Sequence, residues 1–204
     1  MSTSSRITVS LGTLLELKRK LELVRRGKNV LEMKRDQLVS EVYRLMHEVA
    51  KRDELESKLI EVFRDVRRAY VVKGPEVIRS YLGLVKSCRI EVLYKSFLGV
   101  KVPEIRFIND FDVEKIPDLS LRELMKRLAT LLKELIILST KEEAIENLSK
   151  ELIYINRTVN ALDRKLLPEL QELIRYISNR LQERTLEDFV RIKKTRDKLQ
   201  VRGL

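Results

Sequence analysis

The positions of proline and glycine constrain this chain more than any other feature of its sequence. Residues 13–73 contain one glycine and no proline, and residues 118–202 contain one proline and no glycine. Because these two residue types are the ones that end helices, their scarcity predicts two long helical arms. We expect an N-terminal extension at 1–12, a first arm at 13–73, an irregular foot at 74–117 and a second arm at 118–204.

Composition narrows the class of protein further. Charged residues make up 36% of the 204 positions, against about 25% in an average chain, while 44% are hydrophobic. That hydrophobic share is too high for an intrinsically disordered chain. The single cysteine, Cys88, cannot form an internal disulfide, so we expect a reducing, cytoplasmic environment. The densest apolar run, Leu131–Leu138, is interrupted by Lys133 and Glu134, so no direct membrane span is expected.

Apolar residues recur at heptad spacing in both arms. Steps of three and four from Leu14 to Tyr70 land on 17 positions, of which 13 are apolar. In the second arm the stripe is regular from Leu121 to Leu138, then shifts by Ile145 and shifts again at Leu170. Such shifts are typical of stutters, which locally unwind a coiled coil. Sustained heptads in two arms joined by a foot predict an all-α fold, a long antiparallel two-helix coiled coil.

Closing this hairpin sets the register of the arms. If the first arm ends near Tyr70 and the second begins near Leu119, residues that face each other have numbers that add to roughly 190–195. The polar interruptions of the two stripes then meet. Burying them is costly unless they pair, and pairing fixes the register, so we expect a polar lock that prevents the arms from sliding. Its residues are Arg35, Asp36, Arg157, Asn160 and Asp163, with a surface-facing polar run as the alternative.

The foot changes its hydrophobic period. Residues 89–108 are rich in β-branched and aromatic residues around Gly99, which is typical of a short β-hairpin. Asp118 or Ser120 is expected to cap the second arm. A lone hairpin is marginal in water, so its apolar residues need a cover, which we expect to be a partner protein or the coil itself. These residues are Leu93, Tyr94, Phe97, Leu98, Val100 and Val102.

The residue types needed for catalysis or cofactor binding are scarce. His47 is the only histidine and lacks a second histidine or a nearby cysteine, so no metal site is expected. Cys88 has no histidine partner in a local motif, and the glycines form no phosphate-binding loop. The sequence therefore predicts a protein that is not an enzyme by itself and carries no cofactor.

The net charge of +11 is spread over mixed-sign helix faces, except at the C-terminus. From Arg191 to Arg202 six bases accompany one acid. The register leaves residues 183–202 without a counterpart in the first arm, so we expect an overhanging basic tip. The mixed charges and the lack of aromatic platforms argue against nucleic-acid binding. A basic coiled-coil tether for nucleic acid or an anionic membrane surface is kept as the alternative function. The tip residues are Arg184, Phe189, Arg191, Lys193, Lys194, Arg196 and Lys198.

Three segments resemble a known family, the D subunits of the archaeal-type (A-type) and vacuolar-type (V-type) rotary ATPases. They are residues 14–42, residues 99–105 with GVKVPEI, and residues 155–194, where INRTVNALDRKLLPEL is similar to the family's signature. Val9-Ser10-Leu11 stands where the family usually has Pro-Thr-Arg or Pro-Thr-Lys, and Asp163 replaces a glutamate.

The resemblance implies a mechanical role. A family member is the central rotor shaft, inserted into a hexamer of catalytic A and B subunits, with its opposite end bound to the small F subunit and to the funnel-shaped C subunit above the membrane ring. It would carry torque between ATP chemistry and proton or other ion transport. It would bind no nucleotide, and it would lie peripheral to the membrane within a membrane-bound complex.

Overall fold

The computed structural model describes residues 8–202, with side chains described as far as Lys198. Residues 1–7 of the predicted N-terminal extension lie outside the described residues. The elements are α1 (Leu11–Val49), α2 (Arg52–Lys73), α3 (Pro75–Leu82), β1 (Ile90–Phe97), β2 (Val100–Phe107), α4 (Leu119–Ala161), a π turn (Leu162–Leu166) and α5 (Leu167–Arg202). The long helices and the single hairpin confirm the predicted fold class.

The described chain forms two compact units. The terminal unit combines the first arm up to Lys34 with the second arm from Tyr154 onward, and the central unit is Arg35–Ile153. The apolar core of the terminal unit comes from both arms, with Leu14 on α1 and Ile155, Val159 and Ile177 on the second arm. Antiparallel pairing of the arms therefore holds this unit together, because each arm buries only one stripe.

The central unit is built around the same pairing and adds the foot. Its helical core includes Leu45, Val62, Leu138 and Leu148. A second cluster, Val113, Ile116 and Leu121, packs where the foot leads into α4, with Ala69 of α2 against it. The foot is therefore packed onto the coil ends by its own apolar residues.

The register of the arms agrees with the expected closure in both units. In the terminal unit, Lys28 pairs with Asp163, and the Arg184 guanidinium donates to the carbonyl of Val9 at 3.4 Å. In the central unit Arg52 pairs with Glu142, and Lys73 with Asp118. The residue numbers in each of these pairs add to a value between 190 and 195, so the predicted register is confirmed.

The first arm is interrupted at Ala50–Lys51, without any proline or glycine. The backbone still bonds around the break, since Ala50 N donates to Met46 O at 3.0 Å and Leu55 N to Lys51 O at 3.2 Å. The next seam positions are Arg52 and Glu56, which form an exposed ion pair instead of apolar packing. Weak seam packing explains why the break is tolerated here, within the predicted first arm.

The π turn explains the last shift in the heptad pattern. The seam residues Ile155, Leu162, Leu170 and Ile177 are buried or half-buried and are spaced by seven, eight and seven residues. The extra residue falls between Leu162 and Leu170, where the Leu167 N–H donates to Leu162 O, five residues back. A π turn accommodates one residue more than an α turn. Pro168, which has no N–H to donate, follows directly in the first turn of α5, where it is tolerated. The second arm therefore continues past Pro168, as its predicted span requires.

The foot contains a short helix and the predicted hairpin. Pro75 begins α3, a position that suits its fixed φ and missing donor. The strands pair antiparallel from Ile90 opposite Phe107 to Phe97 opposite Val100. Leu98 and Gly99 connect them with φ of 51° and 86°, the signs that a two-residue type I′ turn requires.

Candidate interaction surfaces

The tip is the most exposed apolar and basic part of the second arm. The Phe189 side chain is 67% exposed, and Leu186 and Ile192 are similarly open. The tip bases are also exposed, and within the described side chains the only ion pair among them joins Arg196 to Asp197 at 3.9 Å. The Arg184 guanidinium donates to the carbonyl of Val9, which precedes α1. The tip therefore offers uncovered apolar side chains together with uncompensated positive charge.

An ion pair joins the two arms across the seam in the described part of the terminal unit. Lys28 Nζ lies 2.6 Å from Asp163 Oδ1 and 3.6 Å from Glu32 Oε1. The hydrogen bond from Lys28 to Asp163 raises the pKa of the lysine above its ordinary value. Asp163 belongs to the π turn, so the polar contact coincides with the change in helix period.

This pair includes one predicted lock residue and one that sequence reasoning missed. Lys28 is itself a polar seam position, and the register places it opposite the π turn, so the signal was present in the sequence. The Arg35 guanidinium lies 2.9 Å from its neighbour Asp36. The proposed contacts of Arg35 and Asp36 with Arg157, Asn160 and Asp163 remain a prediction.

The hairpin lies against the coil of its own unit. Pro103 is buried, and Asn147 of α4 donates to the Lys101 carbonyl at 3.4 Å. A cavity of about 520 Å³ separates β2 from the coil, bounded by Val102 and Ile105 on one side and Leu45 on the other. The coil therefore supplies part of the cover that the apolar hairpin needs.

The predicted foot residues divide between covered and open positions. Leu93, Phe97, Val100 and Val102 are half-buried, whereas Leu98 and Tyr94 are exposed. Val92, on the same face of β1 as Tyr94, is also exposed. The open apolar side chains of the hairpin therefore lie on β1 and at the turn, although Val92 and Tyr94 share a sheet face with Ile105 and Pro103.

Asn109 links the two chain segments at the open end of the hairpin. Its Oδ1 accepts from Arg89 N at 2.6 Å, and its Nδ2 donates to Ser87 O at 3.2 Å. The Cys88 thiol donates to the Asn109 carbonyl at 3.0 Å. Lys133 of α4 pairs with the adjacent Asp110. These contacts fix where the strands leave the coil.

The start of the second arm is capped and tied to the end of the first. Asp118 Oδ1 accepts from Ser120 N at 3.0 Å and Leu121 N at 3.2 Å, so the expectation of Asp118 as the N-cap is confirmed. Lys73 pairs with Asp118 and donates to Ser120 Oγ at 2.8 Å. The hydrogen bond from Lys73, followed by that from Ser120, holds the pKa of Asp118 well below its usual range.

Metal-binding clusters and membrane spans do not contribute to these surfaces. Among residues 8–202, no group of three or more His, Cys, Asp or Glu side chains could hold a metal ion. No helix in that range is both long and apolar enough to cross a bilayer.

These features define the class as an antiparallel coiled-coil protein. Its two arms are paired, the second arm is capped at its start, and the connecting foot contains a β-hairpin. Exposed side chains remain at the tip and on the hairpin. Sequence comparison narrows this class to one family, described as the D subunit of ATP synthase, which matches residues 13–197. The chain belongs to this ATP synthase D-subunit family.

Individual relatives agree along almost the whole chain. The chain is similar to the D subunit of the V-type ATP synthase of Thermotoga neapolitana, with 30% identity over 92% of this chain and 96% of the relative. It is also similar to the D subunit of the A-type ATP synthase of Pyrococcus abyssi, at 31% identity over 93% and 92% of the two chains. The corresponding A-type protein of Methanopyrus kandleri is 28% identical, over 94% and 86%.

Proposed function

We propose that this chain is the central rotor shaft of a V/A-type ATPase or ATP synthase. In this role it transmits torque between the catalytic hexamer of A and B subunits and the ion-translocating ring of the membrane. The chain itself catalyses no step. It works as a cytoplasmic component at the membrane surface, inside a membrane-bound complex.

One observation carries this proposal beyond family membership: the two arms keep one register in both units. The Val9–Arg184 contact, just ahead of α1, and the cross-arm ion pairs Lys28–Asp163, Arg52–Glu142 and Lys73–Asp118 follow the same closure. A shaft must resist sliding of one arm along the other, and ion pairs across a seam oppose such sliding. Individual exposed pairs are weak, so the apolar seam supplies most of the stability.

The tip is proposed to meet the catalytic hexamer. Positions 191, 193, 194, 196 and 198 are spread around the helix at about 100° per residue, so positive charge surrounds it instead of forming one stripe. This arrangement suits a shaft that meets chemically similar surfaces in turn. Each contact should be weak, because exposed ion pairs typically contribute under about 1 kcal/mol and a rotor must release each one.

The experiment is ATP-driven rotation and ATP turnover after reconstitution with A, B and F subunits. Reversing the charge of the five tip bases together should lower coupled turnover in a salt-dependent way, while single neutralisations should change it little. Truncation after Glu183 should remove coupling. Unchanged assembly, rotation and turnover after that truncation would show that the tip does not receive torque.

The foot is proposed to select the smaller partners, the F and C subunits. Deleting residues 92–104 should weaken assembly with these proteins and leave the helix content nearly unchanged. A sharper variant is Val92→Thr with Tyr94→Ser, because both residues are at least half exposed. Its control is Val102→Ala, at a half-buried position. Collapse of the coil on hairpin deletion would instead show that the hairpin serves only its own unit.

The tether alternative is separated from the shaft by direct binding assays. At about 0.15 M salt, exposed charges are screened beyond about 8 Å, so a shaft should bind duplex DNA and anionic vesicles weakly. Tight binding to either would favour the tether.

A further inference from the structure

The side of α2 that faces away from the coil combines exposed apolar side chains with arginines. Ile60, Arg64, Arg67 and Val71 follow a spacing of four, three and four residues, which puts them on one helix face. The opposite face packs inward through buried Val62 and through Ala69. We name the outer face of α2 by its five residues: Ile60, Phe63, Arg64, Arg67 and Val71.

The apolar part of this face is unusually open. Val71 is 80% exposed, and Ile60 and Phe63 are more than half exposed. A shallow concavity lies between Val71, Val72 and the neighbouring arginines. Single exposed apolar residues are ordinary, but three within about three helical turns form a patch that is typical of an interaction surface.

The charge on this face is positive and unneutralised. Arg64 and Arg67 are exposed and make no ion pair with any described side chain, and Arg68 reaches Asp65 only at 3.5 Å. Arginine is weakly hydrated, is enriched at protein interfaces, and matches a carboxylate with two parallel hydrogen bonds. A partner that carries carboxylates beside apolar side chains would satisfy both parts of the face.

We propose that the outer face of α2 binds an acidic amphipathic helix of a partner protein. The face runs from residue 60 to residue 71, about 17 Å along the helix axis, which matches about three turns of a partner helix. A second copy of this face would bring like charges together. A planar anionic membrane is a less suitable partner, because it would also meet the acidic side chains Glu61 and Asp65 that border the face. The proposal is independent of the rotor assignment.

The test uses the full chain and a defined probe. The probe is a labelled helical peptide of about 14 residues, with leucines on one face and glutamates beside them. A second peptide has glutamine in place of each glutamate. Fluorescence anisotropy should give a Kd below about 100 µM for the acidic peptide and much weaker binding for the neutral one. Arg64→Glu with Arg67→Glu should weaken the acidic peptide at least about tenfold.

A matched control keeps the change in net charge the same. Arg19→Glu with Lys20→Glu reverses two exposed bases on α1 and should leave the affinity unchanged. The Arg64→Glu/Arg67→Glu variant should in turn gain affinity for a peptide with lysine in place of glutamate. The proposal is overturned if both peptides bind equally, or if the α1 control loses as much affinity. It is also overturned if the arginine variant loses binding to anionic vesicles or duplex DNA while its binding to the acidic peptide is unchanged.

Discussion

Replacing Ile155 by alanine should destabilise the coil by about 3 kcal/mol. The Ile155 side chain is 1% exposed, so the substitution removes three carbons from a fully packed seam. At about 0.8 kcal/mol per buried methylene, the transfer term is about 2.4 kcal/mol, and an unfilled cavity adds to it. Alanine has the higher helix propensity, which offsets about 0.5 kcal/mol of the loss.

The chain supplies a chemically identical control two residues away on α4. Ile153 is 52% exposed, so Ile153→Ala has the same propensity gain without a buried cavity. Urea unfolding followed by circular dichroism at 222 nm should place Ile153→Ala within about 0.5 kcal/mol of wild type. Equal losses for the two variants would refute the reasoning, because burial in the seam would then not determine the stability of the second arm.

Three further predictions concern the polar contacts and the π turn. Lys73 lowers the pKa of Asp118, so the ionised carboxylate stabilises the fold above its unfolded pKa of about 3.9 and loses this effect as pH falls below that value. The difference in unfolding free energy between wild type and Asp118→Asn, measured with urea, should therefore shrink from pH 6 to pH 3. Lys28→Glu should lower the urea midpoint and Lys28→Glu/Asp163→Lys should restore it, with both effects reduced in 1 M salt; a double variant no better than the single would contradict the cross-arm pair. Pro168→Ala should leave the helix content unchanged and make amide exchange across the π turn slower than in wild type. Faster exchange would show that the proline stabilises the turn.

The long-range features of the fold could be predicted because they depend on hydrophobic periodicity and on the positions of helix-breaking residues. Heptads and the scarcity of glycine and proline predicted the arms, and closing them predicted the register of Lys73 with Asp118. The hairpin was predictable from its β-branched composition and from Gly99. Each of these signals depends on residue type at a spacing that the chain itself displays.

The remaining features depend on packing that no local pattern specifies. The break at Ala50–Lys51 has no helix-breaking residue and follows from weak seam packing near Arg52. The arrangement of the hairpin on its coil depends on Pro103 and on the amide of Asn109, which act only once distant residues are brought together. Lys28 could have been identified from the sequence, because the predicted register places it opposite the π turn. The prediction instead assigned the polar contact to Arg35 and Asp36.

The π turn also has a consequence for how this family can vary in length. Leu162 and Leu170 are eight residues apart, one more than the heptad spacing of seven. Deleting the exposed Lys165 would therefore restore a spacing of seven and convert the π turn to ordinary α-helix. A deletion elsewhere in the second arm would instead rotate every later seam residue by about 100°. Gains and losses of a single codon should therefore collect at this one place, and an alignment gap there would mark a change in local winding while the apolar seam on both sides stays in phase.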